Sequence, residues 1–202
     1  PQPYPRPSLR IEEASRAAAL AKFGLSLDRP VLALCPGAEF GEAKRWPSEH
    51  YAKVAELKIR AGWQVWIFGS KNDHGVGEDI RSRLIPGLRE ESSNLAGATS
   101  MAEAIDLLSC AAAVVSNDSG LMHVAAALNR PLVAVYGSTS PGFTPPLAEQ
   151  VEIVRLGIEC SPCFDRTCRF GHYDCLRQLK PRPVIEALDR LVADPIEPVE
   201  VD

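Results

Sequence analysis

The segment Asn117-Asp118-Ser119-Gly120-Leu121-Met122-His123 sets a carboxylate, a hydroxyl, a glycine and an imidazole directly behind the apolar run Ala112 to Ser116. If that run is a strand and Gly120 opens a helix, the free N–H groups of Ser119, Gly120 and Leu121 form an anion site. Gly120 then lets a phosphate approach the backbone, and His123 lies about one turn in at the same mouth. A carboxylate is a poor neighbour for a phosphate, so Asp118 is better suited to accepting hydrogen bonds from sugar hydroxyls. Taken alone, the segment is equally well read as a plain helix cap built on Asp118. A second set, Lys44-Arg45-Trp46-Pro47, ends a glycine-containing loop that starts at Pro36. Lys44 there can neutralise charge building up on a departing diphosphate, although in isolation it is also a solvated basic residue. Trp46 is expected to pack beneath the loop. Asp73, closing Gly69-Ser70-Lys71-Asn72-Asp73, stands where an acidic residue reads a ribose hydroxyl pair.

The cysteines are of two kinds. Cys35 and Cys110 lie in apolar surroundings and are expected in the core. Cys160, Cys163, Cys168 and Cys175 form C-x2-C-x4-C-x6-C, with His172 among them. In a reducing compartment such density favours a structural zinc over disulfides, with free thiols as the alternative; the spacing matches no standard zinc-finger template. Neither G-x-G-x-x-G nor G-x-x-x-x-G-K-[ST] occurs, which makes dinucleotide oxidoreductases and P-loop NTPases poor fits.

These residues need a scaffold, and 202 residues with 46% apolar and 24% charged side chains suffice for one soluble domain. A net charge of -4 with scattered basic residues argues against a nucleic-acid partner. There is no apolar run long enough for a membrane span and no leader-like start, which reads as a cytoplasmic protein. Pro1, Pro3, Pro5 and Pro7 give residues 1–8 the composition of an inter-domain linker, so the chain reads as part of a longer protein, with residues 9–202 as its domain. Helices are expected at Leu9 to Phe23 (ended by Gly24), Ser48 to Ala61 (capped by Ser48), His74 to Leu84, Met101 to Cys110 (capped by Ser100), Gly120 to Leu128 and Pro183 to Leu191. Strands are expected at Val31 to Cys35, Trp63 to Phe68, Ser93 to Leu95, Ala112 to Ser116, Pro131 to Tyr136 and Val151 to Val154. Residues 160–175 are expected to be irregular. This alternation predicts an α/β domain with a doubly wound, Rossmann-like parallel sheet. Ligands of such sheets bind beyond the strands' carboxyl ends, which selects the loops Pro36 to Trp46, Gly69 to Asp73, Ser116 to His123 and Tyr136 to Gly142.

In this order, Lys44-Arg45-Trp46-Pro47, Phe68-Gly69-Ser70, Ser116 to His123 and Tyr136-Gly137-Ser138-Thr139-Ser140-Pro141-Gly142 resemble the C-terminal domain of glycosyltransferase family 9, the ADP-heptose:lipopolysaccharide heptosyltransferases. The stretch from Cys160-Ser161-Pro162-Cys163 to Cys175-Leu176 resembles the heptosyltransferase II branch. The resemblance runs from about Val31 to Leu191. It implies the donor-binding domain of a two-domain GT-B enzyme that inverts the anomeric centre, transfers L-glycero-D-manno-heptose to the inner core of lipopolysaccharide and requires no cofactor. It further implies Lys44 at the donor phosphates, Asp73 at the ribose, backbone near Thr99 at the adenine edge, Asp118 at the heptose hydroxyls, and Ser119, Gly120 and His123 at the diphosphate. The acceptor and the general base would belong to an N-terminal domain, and the enzyme would work at the cytoplasmic face of the inner membrane. Where the family often carries small hydroxyl residues before the lysine, this chain has Ala38 and Glu39. Two other classes stay open on sequence alone: a non-catalytic nucleotide-binding or interaction module, and another GT-B enzyme, such as a sugar epimerase, that takes a UDP-sugar.

Overall fold

The computed structural model describes residues 6–193, so most of the expected linker and the last residues of the chain lie outside the described part. Its elements are α1 (Glu13–Phe23), β1 (Val31–Cys35), α2 (Ser48–Arg60), β2 (Gln64–Ile67), α3 (His74–Ser82), α4 (Pro86–Arg89), β3 (Ser92–Asn94), α5 (Met101–Leu108), β4 (Ala113–Asn117), α6 (Gly120–Ala127), β5 (Leu132–Tyr136), β6 (Val151–Arg155), α7 (Asp174–Arg177) and α8 (Pro181–Ala193). One six-stranded sheet in the order β3-β2-β1-β4-β5-β6 contains all the strands, and every pairing is parallel. The order reverses between β1 and β4, which opens a crevice at their carboxyl ends.

The sheet forms because its central strands are apolar on both faces. Residues of β1, β4 and β5 are buried throughout, and successive side chains point to opposite layers. Leu32, Leu34, Val65, Ile67, Val133 and Val135 join one core with α2, α3 and α8. Val31, Ala33, Trp66, Leu132, Ala134 and Tyr136 join the other, with α1, α5 and α6. Fully burying one such side chain stabilises the fold by about 1.5–3 kcal/mol. The edge strand β6 is exposed on one face, with only Val154 buried.

Several boundaries differ from expectation. Residues 9–12 do not join α1; Leu9 instead donates its N–H to the Ala127 carbonyl at 3.0 Å. Gly24 ends α1 as anticipated, at φ +62°. Ser48 is not a cap: Pro47 occupies that position and makes no side-chain cap bond, because proline fixes the helical entry by its own φ. Ser100 does cap α5, its hydroxyl accepting from the Glu103 N–H while Glu103 reaches back. The short helices α4 and α7 carry too few residues for an apolar period and escape a sequence reading.

Candidate functional site

A cleft of about 340 Å³ opens at the crevice, lined by Gly37 to Glu39 after β1, Gly69, Ser70 and Asp73 after β2, Thr99 to Met101 ahead of α5, and Ser119 to Leu121 after β4. Four residues expected at a nucleotide therefore line the same cleft: Asp73, Thr99, Ser119 and Gly120. The apolar floor comes from Met101, Ala104, Leu121 and Val124, which suits a flat heteroaromatic ring. At Gly120 an added Cβ would meet no protein atom within 4 Å, so the start of α6 faces open space. Ser119 stands at its N-cap without a side-chain cap bond. The first-turn N–H groups thus keep their anion-binding capacity.

Asp118 does not cap that helix, which removes the plain-cap reading. It is buried, and Lys44 Nζ lies 2.7 Å from its Oδ2. Thr139 Oγ1 donates to Oδ2 at 2.6 Å and Thr144 Oγ1 to Oδ1 at 3.2 Å. Lys44 also stands over the Phe40 ring at 4.9 Å. The sequence kept Lys44 and Asp118 on separate loops 74 residues apart; the fold makes them one charge-neutral pair. Thr139 and Thr144 were missed as its partners. Thr139 lies in a strand-end loop already singled out, but no spacing rule shows which hydroxyl meets which carboxylate.

Below the pair, Asn117 is fully buried. Its Oδ1 accepts from the Trp46 N–H at 3.2 Å and the Tyr51 hydroxyl at 3.0 Å, and its Nδ2 donates to the Pro36 carbonyl at 2.6 Å. One amide thus ties the end of β4 to both ends of the loop that carries Lys44. Trp46 packs beneath that loop as expected, its indole N–H donating to the Leu179 carbonyl at 2.8 Å. Burial pushes the nearby Cys35 thiol up to about 12, consistent with a core residue.

Asp73 is within the cleft, though partly committed. Its Oδ2 accepts from the Ser70 N–H at 2.9 Å and the Ser70 hydroxyl at 2.7 Å, while Oδ1 lies 3.7 Å from the Arg45 guanidinium. A Cβ on Gly37 would stand 2.5 Å from this carboxylate, so a larger residue there would displace the Asp73 side chain. His123 departs from expectation: it is exposed and absent from the cleft lining, because α6 turns Leu121 and Val124 inward instead.

Cys160, Cys163, Cys168, Cys175 and His172 line one small cavity of about 20 Å³ with Ala43 and Ser138. All four thiols are free, and among the described residues no three His, Cys, Asp or Glu side chains are gathered closely enough to hold a metal ion. Also among the described residues, no helix is long and apolar enough to cross a membrane.

Comparison with known proteins places these features in context. Residues 1–174 match the family model described as glycosyltransferase family 9 (heptosyltransferase). The chain is 48% identical over 197 residues to lipooligosaccharide heptosyltransferase 2 of Haemophilus influenzae, covering 95% of this chain and 57% of that protein. It is 44% identical over 192 residues to lipopolysaccharide heptosyltransferase 2 of Escherichia coli, covering 95% and 55%. The solved structure of E. coli ADP-heptose lipopolysaccharide heptosyltransferase II superposes with a TM-score of 0.86 at 44% identity, over 96% of this chain and 55% of that one. The chain therefore spans just over half the length of these relatives.

Proposed function

The chain belongs to glycosyltransferase family 9, and from that premise we propose that it is the C-terminal, ADP-heptose-binding domain of an inverting heptosyltransferase of the heptosyltransferase II type. The whole enzyme would transfer L-glycero-D-manno-heptose to the inner core of lipopolysaccharide at the cytoplasmic face of the inner membrane. The observation that carries this reading is the convergence of Asp73, Thr99, Ser119 and Gly120 on one cleft; the Lys44–Asp118 pair is not part of its lining, but Asp118 directly precedes Ser119 in the chain. An adenine would lie toward Thr99 and the apolar floor, the ribose toward Asp73, and the diphosphate against the start of α6.

The pair supplies the chemistry. Asp118 holds the Lys44 side chain in place, so a turn of the ammonium brings it to the charge developing on the leaving diphosphate. As the ammonium turns toward phosphate, Asp118 is released to accept from the heptose hydroxyls, so binding of one part of the donor frees the reader of the other. His123, exposed on α6, would reach the diphosphate only from the outer rim. The acceptor and the base that activates its hydroxyl would belong to the other half of the enzyme.

The test is steady-state turnover of the enzyme carrying both halves. Lys44→Ala should lower kcat by roughly 10²–10³-fold, the range for loss of one preorganised charge-stabilising donor, with the circular dichroism spectrum unchanged. Near-normal turnover would remove Lys44 from the mechanism.

A further inference from the structure

We propose that Arg166 is a second cation for the donor's diphosphate, held beside Lys44 by the Cys-rich segment; the inference rests on the donor-binding reading above. Both cations stand against one aromatic ring. Lys44 Nζ lies 4.9 Å from the centre of the Phe40 ring, and Arg166 Cζ lies 5.0 Å from it. They differ in how their charge is spent. Lys44 is paired with Asp118 at 2.7 Å. Among the described residues Arg166 makes no ion pair: its chain neighbour Asp165 is taken by Arg169 at 2.7 Å, and Glu42 by the Tyr173 hydroxyl at 3.4 Å. Arg166 is exposed, so its charge is available to a ligand. A guanidinium laid over an aromatic ring also keeps its in-plane N–H groups free for an acceptor.

Backbone contacts set this placement. Residues 156–173 contain no helix or strand, and none of their side chains is buried, yet the segment is tied to two loops at the strand ends. Cys163 and Phe164 donate their N–H groups to the Ser138 carbonyl at 3.0 and 2.7 Å, and Ser161 Oγ donates to the Gly137 carbonyl at 2.6 Å. On the other side the Ala43 N–H, one residue before Lys44, donates to the Arg166 carbonyl at 3.1 Å. A Cβ on Gly41 would stand 2.3 Å from that same oxygen and 2.9 Å from Arg166 Cα. Backbone atoms cannot swing aside as a side chain can, so glycine at position 41 is what lets the two segments touch. Arg166 is thereby fixed to the turn that carries Lys44. Chain neighbours join this group to the cleft: Glu39, which lines it, directly precedes Phe40, and Ser119, which also lines it, directly follows Asp118. In the proposed transfer, the bond between the anomeric carbon and the diphosphate oxygen breaks and its electron pair stays on that oxygen. The acceptor oxygen, giving its proton to the base of the other half, bonds to the carbon. The diphosphate gains one negative charge in this step. A planar guanidinium, always charged and able to hold two phosphate oxygens at once, stabilises that charge alongside the lysine.

The test uses the enzyme carrying both halves and compares calorimetric binding of ADP with that of adenosine, which lacks the phosphates. Arg166→Gln should weaken ADP binding by about tenfold or more, the range for a lost hydrogen bond between charged groups, and leave adenosine binding unchanged. In steady-state kinetics the same variant should lower kcat and leave the KM of the acceptor as it was. Arg166→Lys keeps the charge without the fork and should recover part of the ADP affinity. Arg169→Gln, a neighbouring exposed arginine already paired with Asp165, should change none of these. ADP affinity untouched by Arg166→Gln, or equal losses for ADP and adenosine, overturns the role. A change confined to the KM of the acceptor overturns it too and gives Arg166 to an anionic group of the acceptor. A native enzyme that does not bind ADP sinks the donor-binding reading and this inference together, whereas ADP binding insensitive to Arg166 sinks the inference alone. Should Arg166→Gln not fold, Arg166→Lys carries the same comparison of ADP with adenosine.

Discussion

Asp118 is the side chain on which the site turns, since it faces a lysine and two threonine hydroxyls from a buried position. Removing one partner of a buried ion pair strands the other charge, which costs about 3–5 kcal/mol, whereas removing both is far cheaper. Asp118→Ala and Lys44→Ala should therefore each destabilise the chain by about 2–4 kcal/mol, Lys44 being slightly exposed, while the double variant loses much less than their sum. Urea unfolding of the four proteins gives the coupling directly. Strict additivity would mean that the pair carries no interaction energy and that Lys44 is not positioned by Asp118. At this scale the sequence displayed Lys44, Asp73, Asp118, Ser119 and Gly120 through residue type next to a strand end. It hid their mutual arrangement. That Asp118 spends its oxygens on Lys44, Thr139 and Thr144, and that Asp73 caps its own turn, depends on contacts between loops far apart in the chain, which no local period encodes.

At the scale of elements, what was legible followed from physics that is local. All six strands appear within about two residues of expectation, because apolar runs bounded by Gly and Pro are determined by neighbours along the chain. The start of α1 differs from expectation because Leu9 to Glu12 satisfy helical composition, yet the Leu9 N–H bonds to the Ala127 carbonyl of α6 and Glu12 stands at the N-cap. The long Cys-rich segment was legible only as irregular. The packing of α1 on α5 yields a pH dependence. Glu103, on α5, accepts from Lys22 of α1 and from the Ser100 N–H, and these contacts, Lys22 foremost, lower its carboxyl from 4.5 to about 2. A depressed carboxyl contributes stability that is fully present above its unfolded value and lost as pH falls through the folded one. The stability difference between the native sequence and Glu103→Gln should therefore be constant above about pH 5.5 and shrink as pH drops from about 4.5 to 2. Chemical denaturation at a series of pH values measures it; a difference unchanged down to pH 2 would mean that Lys22 and Ser100 do not hold the carboxylate.

For the whole molecule, the question is what a chain spanning just over half of its relatives can do by itself. The cleft draws every lining residue from β1, β2, β4, α5, α6 and the loops joining them, and those strands are buried in a sheet that has its own core on both faces. Nucleotide recognition should therefore persist in this chain alone, whereas heptose transfer, which on the proposed reading needs a base and an acceptor from the other half, should be undetectable. A ligand that binds only the folded state at a hundred times its Kd stabilises it by about 2.7 kcal/mol. For a domain of this size that raises the melting temperature by roughly 5–10 °C. ADP should produce such a shift and UDP a much smaller one, because the floor of Met101, Ala104, Leu121 and Val124 offers a purine more apolar contact than a pyrimidine. Equal shifts would transfer the assignment to a UDP-sugar enzyme on the same fold. No shift with either, in protein with a cooperative melt, would mean that the cleft closes on its nucleotide only when the other half of the enzyme packs over it.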